Sequence, residues 1–266
     1  MLDEVVALLR CPICGADLQH CDRALRCPNG HVFDLARQGY VSLLPGGARP
    51  GTADSADMVR ARTEFLATGH FDPLSEALAA AAGPGPVLDL GAGTGHHTAR
   101  VLDRVAGVGL AVDISKHAAR RAAAAHPRLG AVVADAWAAL PVRDGVAGTV
   151  LSVFAPRHAA ETVRVLRPGG RLVVATPTAA HLRELVEARG LVSVDPRKDE
   201  RLAVRLAAFA LVEEVLIERR LELSPAEVRA VVAMGPSARH AVGAGPADPV
   251  VTTLSVRVAT YVVDPA

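Results

Sequence analysis

The sequence predicts an α/β fold in which a parallel sheet, covered by helices on both faces, follows a small metal-binding module. Three observations predict it. Apolar runs alternate with helical segments through the middle of the chain, and such alternation favours a parallel sheet. One apolar run opens into the glycine-rich residues 91–95, as in Rossmann-like folds. A cysteine-rich segment stands near the start of the chain.

The first element is a predicted zinc site. Two short motifs, C-x2-C and C-x3-H, supply the ligands Cys11, Cys14, Cys27 and His31. This set fits a closed tetrahedral site, so the metal is expected to be structural. A disulfide pair or inert buried thiols is the alternative, but residues 1–10 lack a secretory signal, which favours a reducing compartment. Cys21 lies outside the spacing and is expected to be a loop residue.

Turn residues divide the chain into three parts. Residues 1–44 are predicted to form the zinc-binding module, 45–83 a linker and helical arm, and 84–266 the catalytic domain. The linker is rich in proline and glycine over residues 44–51, where no regular element is expected to persist. Helical composition follows at 54–66 and 73–82.

Strands and helices alternate in the third part. The apolar runs predict strands near 86–90, 108–112, 130–134, 147–153 and 171–175, with helices near 96–104, 116–125, 158–166 and 179–189. Residues 211–221 and 251–262 predict two further strands, which flank a helix that begins at the capping box of Ser224 and Glu227.

The glycine-rich turn predicts a nucleotide-like cofactor. Gly91, Gly93 and Gly95 follow the first strand and would let the backbone approach a ligand. Asp113 ends the second strand, where an acid accepts hydrogen bonds from ribose hydroxyls. This pattern suits both dinucleotides and S-adenosylmethionine (SAM), and further features favour SAM.

Those features resemble the class I SAM-dependent methyltransferases. Asp89 stands where such enzymes keep an acid near the methionine amino group, and Asp135 follows the third strand, where a polar residue meets adenine. Residues 166–172 fit the pattern L-x-P-G-G-x-L before the fifth strand. The resemblance implies a Rossmann-like seven-stranded sheet whose last strand is reversed.

The whole chain also resembles a narrower family. The segments that carry this resemblance are CPNGHVFDLARQGYV at 27–41, MVRAR at 58–62, GHFDPL at 69–74, GTGHH at 93–97, VFAPR at 153–157 and VAMGPS at 232–237. They are similar to the 23S rRNA (guanine-N1)-methyltransferases, and more closely to the Gram-positive branch that includes tylosin-type macrolide-resistance enzymes. The resemblance implies methylation of guanine N1 in a 23S rRNA hairpin, with antibiotic resistance as an expected role.

The family resemblance also implies roles for individual residues. It assigns SAM contacts to Gly95 and His96, to Asp113, and to Phe71 and His181. The substrate pocket is expected to include Phe154, Pro156 and Arg157, with no general base assignable. Phosphate contacts are expected from arginines of the zinc module and the arm, namely Arg23, Arg26, Arg37, Arg49, Arg60 and Arg62. Arg239 occupies a position where family members carry tryptophan.

Bulk properties set the remaining expectations. The net charge of +1 does not by itself indicate a nucleic-acid partner, and no apolar run is long enough to cross a bilayer. We therefore expect a cytoplasmic protein without a membrane partner, and a homodimer stays one alternative for its assembly. Two other functions stay open: a catalytically inactive SAM- and RNA-binding protein, and a small-molecule methyltransferase.

Overall fold

The structure, a computed structural model, describes residues 1–45, 53–155, 158–195, 198–235, 238 and 248–264. The N-terminal part contains one short helix and four short strands: α1 (Asp3–Val6), β1 (Gln19–Cys21), β2 (Ala24–Arg26), β3 (Val32–Asp34) and β4 (Tyr40–Ser42). The arm that follows contains α2 (Ala56–Leu66) and α3 (Asp72–Ala81).

The remainder alternates strands and helices as predicted. Its elements are β5 (Val87–Leu90), α4 (His96–Arg104), β6 (Gly109–Asp113), α5 (Lys116–Ala122), β7 (Leu129–Val133), β8 (Ala147–Val153), α6 (Ala159–Val165), β9 (Leu166–Pro177), α7 (Arg183–Arg189), α8 (Lys198–Arg205), β10 (Phe209–Leu223), α9 (Pro225–Met234) and β11 (Val250–Val263). All seven predicted strands are present, and α8 is a helix that the sequence did not predict.

Eight strands form the main sheet in the order β10-β11-β9-β8-β5-β6-β7-β4. The strands from β9 to β4 run parallel, whereas β11 is antiparallel to both β9 and β10. The parallel strands are hydrophobic throughout because helices cover both of their faces, and every residue of β5 and β7 is buried. The reversed strand expected near the C-terminus is β11.

The N-terminal module contributes the eighth strand, which the sequence analysis did not foresee. Residues of β4 pair in parallel with β7, and Leu9 forms an isolated bridge with Val142. Val5, Val41 and Leu43 are almost fully buried in the core of the main sheet. Residues 1–44 therefore form part of the same packed structure as the sheet.

Capping interactions fix where the helices begin. The hydroxyl groups of Ser55 and Ser115 accept hydrogen bonds from the first turns of α2 and α5. Ser224 and Glu227 form the expected capping box at the start of α9. Among the described helices, none is long and apolar enough to cross a membrane.

Gly95 shows why the last glycine of the loop is needed. Its φ of +72° is the left-handed conformation, and a Cβ there would lie 3.0 Å from the Cα of Ala122 in α5. Gly145 also has a positive φ, +64°, but no heavy atom lies within 4 Å of its Cβ position. Alanine at Gly145 would meet backbone strain alone, whereas alanine at Gly95 would meet both strain and a steric clash.

We expect Gly95→Ala to reduce the free energy of unfolding by about 2–5 kcal/mol, because left-handed strain adds to a backbone clash. Gly145→Ala should reduce it by about 1–2 kcal/mol, from strain alone. Urea denaturation measures both values. Equal losses in the two variants would show that contact with α5 is unimportant.

Candidate functional site

The predicted metal ligands meet in the N-terminal module. The ligand atoms of Cys11, Cys14, Cys27 and His31 all lie within 4.8 Å of one another. The Sγ atoms of Cys14 and Cys27 are 3.7 Å apart, and Nδ1 of His31 lies 3.3 Å from Sγ of Cys27. Tetrahedral zinc with sulfur and nitrogen ligands holds them about 3.5–3.8 Å apart. The cluster therefore fits zinc, and Cys21 is not part of it.

Two tight turns shape this cluster. Gly15 and Gly30 have positive φ angles, and their amides donate hydrogen bonds to the carbonyl groups of Cys11 and Cys27. Hydrogen bonds from the Ala16 amide and then the Asn29 side chain lower the pKa of Cys14 to about 6. A thiolate is the form that binds a metal, so the turn prepares this ligand.

A second site lies at the carboxyl edge of the main sheet, where a cleft of about 1390 Å³ opens. Most of the predicted cofactor residues line it: Phe71, Asp89, Gly91, Gly93, His96, Asp113, Asp135 and His181. Gly95 does not line the cleft and instead packs against α5. The glycine-rich turn lies at the end of β5, which is next to the point where the strand order reverses.

Asp89 is a fully buried acid at the base of the cleft. Its Oδ2 accepts a hydrogen bond from the Thr98 hydroxyl, whereas Oδ1 is buried without a partner among the described residues. Burial, and to a lesser extent the nearby Asp113, raise the pKa of Asp89 to about 7. A cation bound beside Oδ1 would favour the ionised carboxylate.

Asp113 is held by the backbone of two loops. Its Oδ2 accepts from the Gly93 amide and its Oδ1 from the Ser115 amide, each at 2.8 Å. Burial raises its pKa, while these two hydrogen bonds and Arg62 act in the opposite direction. The carboxylate is thereby fixed at the mouth of the glycine-rich turn, where it keeps further lone pairs for a ligand.

A row of rings forms the opposite wall of the cleft. Phe71 lies between Phe65 and His181, with ring centroids 5.3 and 6.0 Å away, and His181 lies 5.7 Å from Phe154. Nδ1 of His181 accepts a hydrogen bond from the Ser255 amide. Phe154 is 41% exposed and has a φ of +53°, a strained conformation for phenylalanine. Such strain is found at functional sites.

Two histidines begin α4 beside the glycine-rich turn. His96 faces the cleft, and its Nε2 is buried without a partner among the described residues. His97 bonds to the Ser75 hydroxyl, and burial lowers its pKa to about 3. Burial also lowers the pKa of His96. Both rings are therefore neutral at pH 7.

Asp135 and Trp137 form the far end of the cleft. Oδ1 of Asp135 accepts a hydrogen bond from the Trp137 amide. The indole is 53% exposed, and the guanidinium of Arg205 from α8 lies 5.4 Å from its centre. Trp137 is the only tryptophan in the chain, and its position two residues after Asp135 is the one sequence signal for a place in this cleft.

Arg62, for which the sequence predicts a phosphate contact, lies in the cleft. Its side chain lines the cleft and lies 2.5 Å from Oδ2 of Asp54. Arg60 is exposed and pairs with Asp57. Both arginines are in α2, and their positions two residues apart place the two side chains on different faces of the helix. The structure therefore adds Arg62 and Asp54 to the cofactor cleft.

The cleft fits SAM on its own chemistry. An ammonium group would satisfy the unpartnered oxygen of Asp89, and Asp113 is positioned for ribose hydroxyls. The exposed rings of Phe154 and Trp137 line the same cleft and offer flat surfaces on which a planar group can stack.

Other predicted contacts lie on the surface or outside the described residues. Arg23, Arg26 and Arg37 are exposed and form no ion pair with the residues that the structure describes. Arg49, Pro156, Arg157 and Arg239 lie outside the described residues. The pocket and stacking roles expected for them stay predictions.

Two known families match separate parts of the chain. Residues 9–49 match the zinc-ribbon family described as "RlmA, N-terminal", and residues 87–170 match a family described as "Methyltransferase domain". The first match contains the metal cluster, and the second contains the glycine-rich turn.

Two relatives cover nearly the whole chain. A protein from Streptomyces fradiae, named 23S rRNA (guanine(748)-N(1))-methyltransferase, is 51% identical over 90% of this chain and 89% of its own. A protein from Micromonospora griseorubida, named for the same activity without a position, is 48% identical over 98% of this chain and 99% of its own.

A solved structure supports the fold alone. A methyltransferase from the complex with the Haloferax volcanii Trm112 activator has a TM-score of 0.52 and 19% identity, covering 79% of this chain and 99% of that one.

The metal cluster predicts unequal effects for two cysteines. Cys27→Ala should lower bound zinc well below one ion per chain, because it removes one of the clustered ligands. Cys21→Ala should retain the metal, since Cys21 lies outside the cluster. Metal analysis of the purified folded variants measures both. Zinc lost from Cys21→Ala but kept in Cys27→Ala would overturn the ligand assignment.

The raised pKa of Asp89 predicts a pH dependence for cofactor binding. The free protein holds a proton on Asp89 below about pH 7, and an ammonium group pairs with the ionised form. Affinity for S-adenosylhomocysteine should therefore rise from pH 5 to about 7 and then level off. Calorimetry measures this profile, and Asp89→Asn should flatten it. An equally steep rise in Asp89→Asn would assign the titration to another group.

Proposed function

The chain belongs to the 23S rRNA (guanine-N1)-methyltransferase family, and we propose that it methylates N1 of a guanine in a 23S rRNA hairpin, using SAM. One observation supports this most strongly: a single chain joins a zinc-type cluster to a cofactor cleft, and its two relatives of about 50% identity are named for this methylation. Its cofactors are SAM and a structural zinc ion.

The proposed cofactor contacts follow from the cleft. Asp113 accepts from the ribose hydroxyls, Asp89 pairs with the methionine ammonium, and Asp135 lies toward the adenine. Gly91, Gly93 and His96 bring the glycine-rich turn against the cofactor, while Phe71 and His181 close the opposite wall. When bound, SAM supplies an activated methyl group, so the protein's task is alignment.

The guanine is proposed to bind beside Phe154. N1 lies on the pairing edge of the base, so the target must be unpaired or flipped out of its stack. The exposed Phe154 ring offers a stacking surface at the cleft. Its neighbours Val153 and Ala155 carry no side-chain proton acceptor, and Nδ1 of His181 is occupied by the Ser255 amide. We therefore propose positioning by Phe154 without assigning a general base.

The zinc module is proposed to bind the hairpin's phosphates. Arg26 lies in β2, Arg23 lies in the turn just before it, and Arg37 lies in the turn after β3. Exposed guanidinium groups without a described ion-pair partner are available to phosphate, even though the chain as a whole is nearly neutral. These contacts would place the hairpin, while the cleft receives the base.

The biological setting is proposed from the relatives. The Streptomyces fradiae protein is named for guanine 748, and we propose the corresponding guanine here, with macrolide resistance as the role and the cytoplasm as the location. One chain contains both the cluster and the cleft. A homodimer stays a prediction for analytical ultracentrifugation.

The proposed substrate predicts a strong preference for folded RNA. The purified protein with SAM should convert one guanine of the 23S hairpin to 1-methylguanosine, detected by mass spectrometry of nuclease fragments. Free guanosine should react far more slowly, because it lacks the phosphates that the module binds. Comparable rates on guanosine would favour a small-molecule methyltransferase, and no transfer to either would favour an inactive binding protein.

A charge-removal variant tests the module's role in the folded full-length chain. Changing Arg23, Arg26 and Arg37 together to Gln should weaken hairpin binding and flatten its salt dependence by a slope of about 2–3. Affinity for S-adenosylhomocysteine should not change. The control is Arg219→Gln with Arg220→Gln, two exposed arginines on β10 at the opposite edge of the sheet. A larger loss in the control would place the RNA on the other edge.

A further inference from the structure

The Arg62 side chain is held in the cofactor cleft by contacts with three parts of the chain. One terminal nitrogen lies 2.5 Å from Oδ2 of Asp54, and the other donates to the carbonyl of Met234 at 2.8 Å. The same guanidinium lies over the glycine-rich turn, because a Cβ on Gly93 would be 3.0 Å from Nη1. Arg62 thus joins the arm, the end of α9 and the loop after β5.

Acidic side chains outnumber basic ones around this position. Asp54, Asp89 and Asp113 all line the cleft beside the glycine-rich turn. The nearby His96 and His97 rings are neutral because burial lowers their pKa values. The other arginines among the described lining residues, Arg201 and Arg205, are engaged with Asp195 and Trp137. Of the described lining arginines, Arg62 is the one that lies against this turn.

The proposed cofactor brings two opposite charges to this turn. The methionine part of SAM carries an ammonium and a carboxylate on the same carbon, so their binding groups must be neighbours. Asp89 provides a site for the ammonium at one end of the turn. A carboxylate beside it would meet Asp113 and Asp54 unless a cation intervened.

Resting on the function proposed above, we propose that Arg62 binds the carboxylate of the methionine part of SAM. Its guanidinium uses one N–H toward Asp54 and one toward Met234, which leaves further N–H donors for a carboxylate. Asp54 acts as a positioning residue. Its own backbone carbonyl accepts from the Ser115 hydroxyl, so the arm holds the guanidinium over the turn.

The position of Arg62 gives a second reason for glycine at residue 93, besides the φ of +55° there. A Cβ there would lie 3.0 Å from Nη1 of Arg62, so the guanidinium would have to shift by a few tenths of an ångström. The glycine therefore leaves the guanidinium close against the turn, where a ligand carboxylate would meet it.

The test is a thermodynamic cycle that removes the Arg62 guanidinium from the protein and the carboxylate from the ligand, separately and together. Calorimetry compares S-adenosylhomocysteine with its decarboxylated analogue, which keeps the ammonium, in the wild-type protein and in Arg62→Gln. The wild type should bind the carboxylate-bearing ligand about 10–100-fold more tightly, as expected for a charged hydrogen bond. In Arg62→Gln this preference should largely disappear, because affinity for S-adenosylhomocysteine falls while affinity for the decarboxylated analogue changes little.

Two variants serve as controls. Arg62→Lys keeps the charge without the planar fork and should restore part of the preference. Arg60→Gln removes an exposed arginine from the same helix and should leave the preference intact. Thermal unfolding verifies that each variant is folded.

The outcomes separate this inference from the proposed function. A wild-type protein that binds both ligands equally, or a preference that survives in Arg62→Gln, would overturn the assignment of Arg62 alone. A wild-type protein that binds neither ligand would overturn the proposed cofactor and therefore the proposed function. If Arg62→Gln is unfolded, an unchanged preference in Arg62→Lys overturns the assignment and a weakened one supports it.

Discussion

The parallel pairing of β4 with β7 is the contact on which the rest of the arrangement depends. It carries the N-terminal module onto the main sheet, where Val5, Leu9, Val41 and Leu43 are buried almost completely. Each such side chain contributes about 1.5–3 kcal/mol when it is removed from water. The pairing also brings the end of β4 to the edge of the sheet that holds the cleft, since parallel strands end at the same edge. The next described segment begins at residue 53, and its Asp54 lines that cleft.

Groups that prepare the cleft for its ligand lower the stability of the protein when the cleft is empty. Asp89 is fully buried, and its raised pKa means that the folded chain holds a proton that the unfolded chain releases between about pH 4 and 7. Stability from this group is therefore greatest below pH 4 and declines as the pH rises to about 7. A bound ammonium reverses the penalty, because it favours the ionised acid. The strained Phe154 backbone adds a second local cost beside the same cleft.

Much of the fold follows from the sequence because its signals are local. The five predicted parallel strands are apolar over several consecutive residues, and the four metal ligands have a spacing that few other structures require. β4 could not be predicted in this way, since it spans only Tyr40–Ser42 and its partner β7 is distant in the chain. The surroundings of Arg62 and Trp137 depend on long-range packing in the same way. Arg62 contacts Met234 at the end of α9, and Trp137 contacts Arg205 of α8, so their surroundings can be known only from the folded structure.

Mapping 1-methylguanosine in 23S rRNA from cells with and without this protein tests the central claim most directly. Mass spectrometry of nuclease fragments should find one additional methyl group, on N1 of a single hairpin guanine, only when the protein is present. Complementation with the Asp113→Ala variant should leave that guanine unmodified, because a charged hydrogen bond to the ribose is lost. Identical 23S rRNA from both strains, or a methyl group at a different atom, would contradict the account.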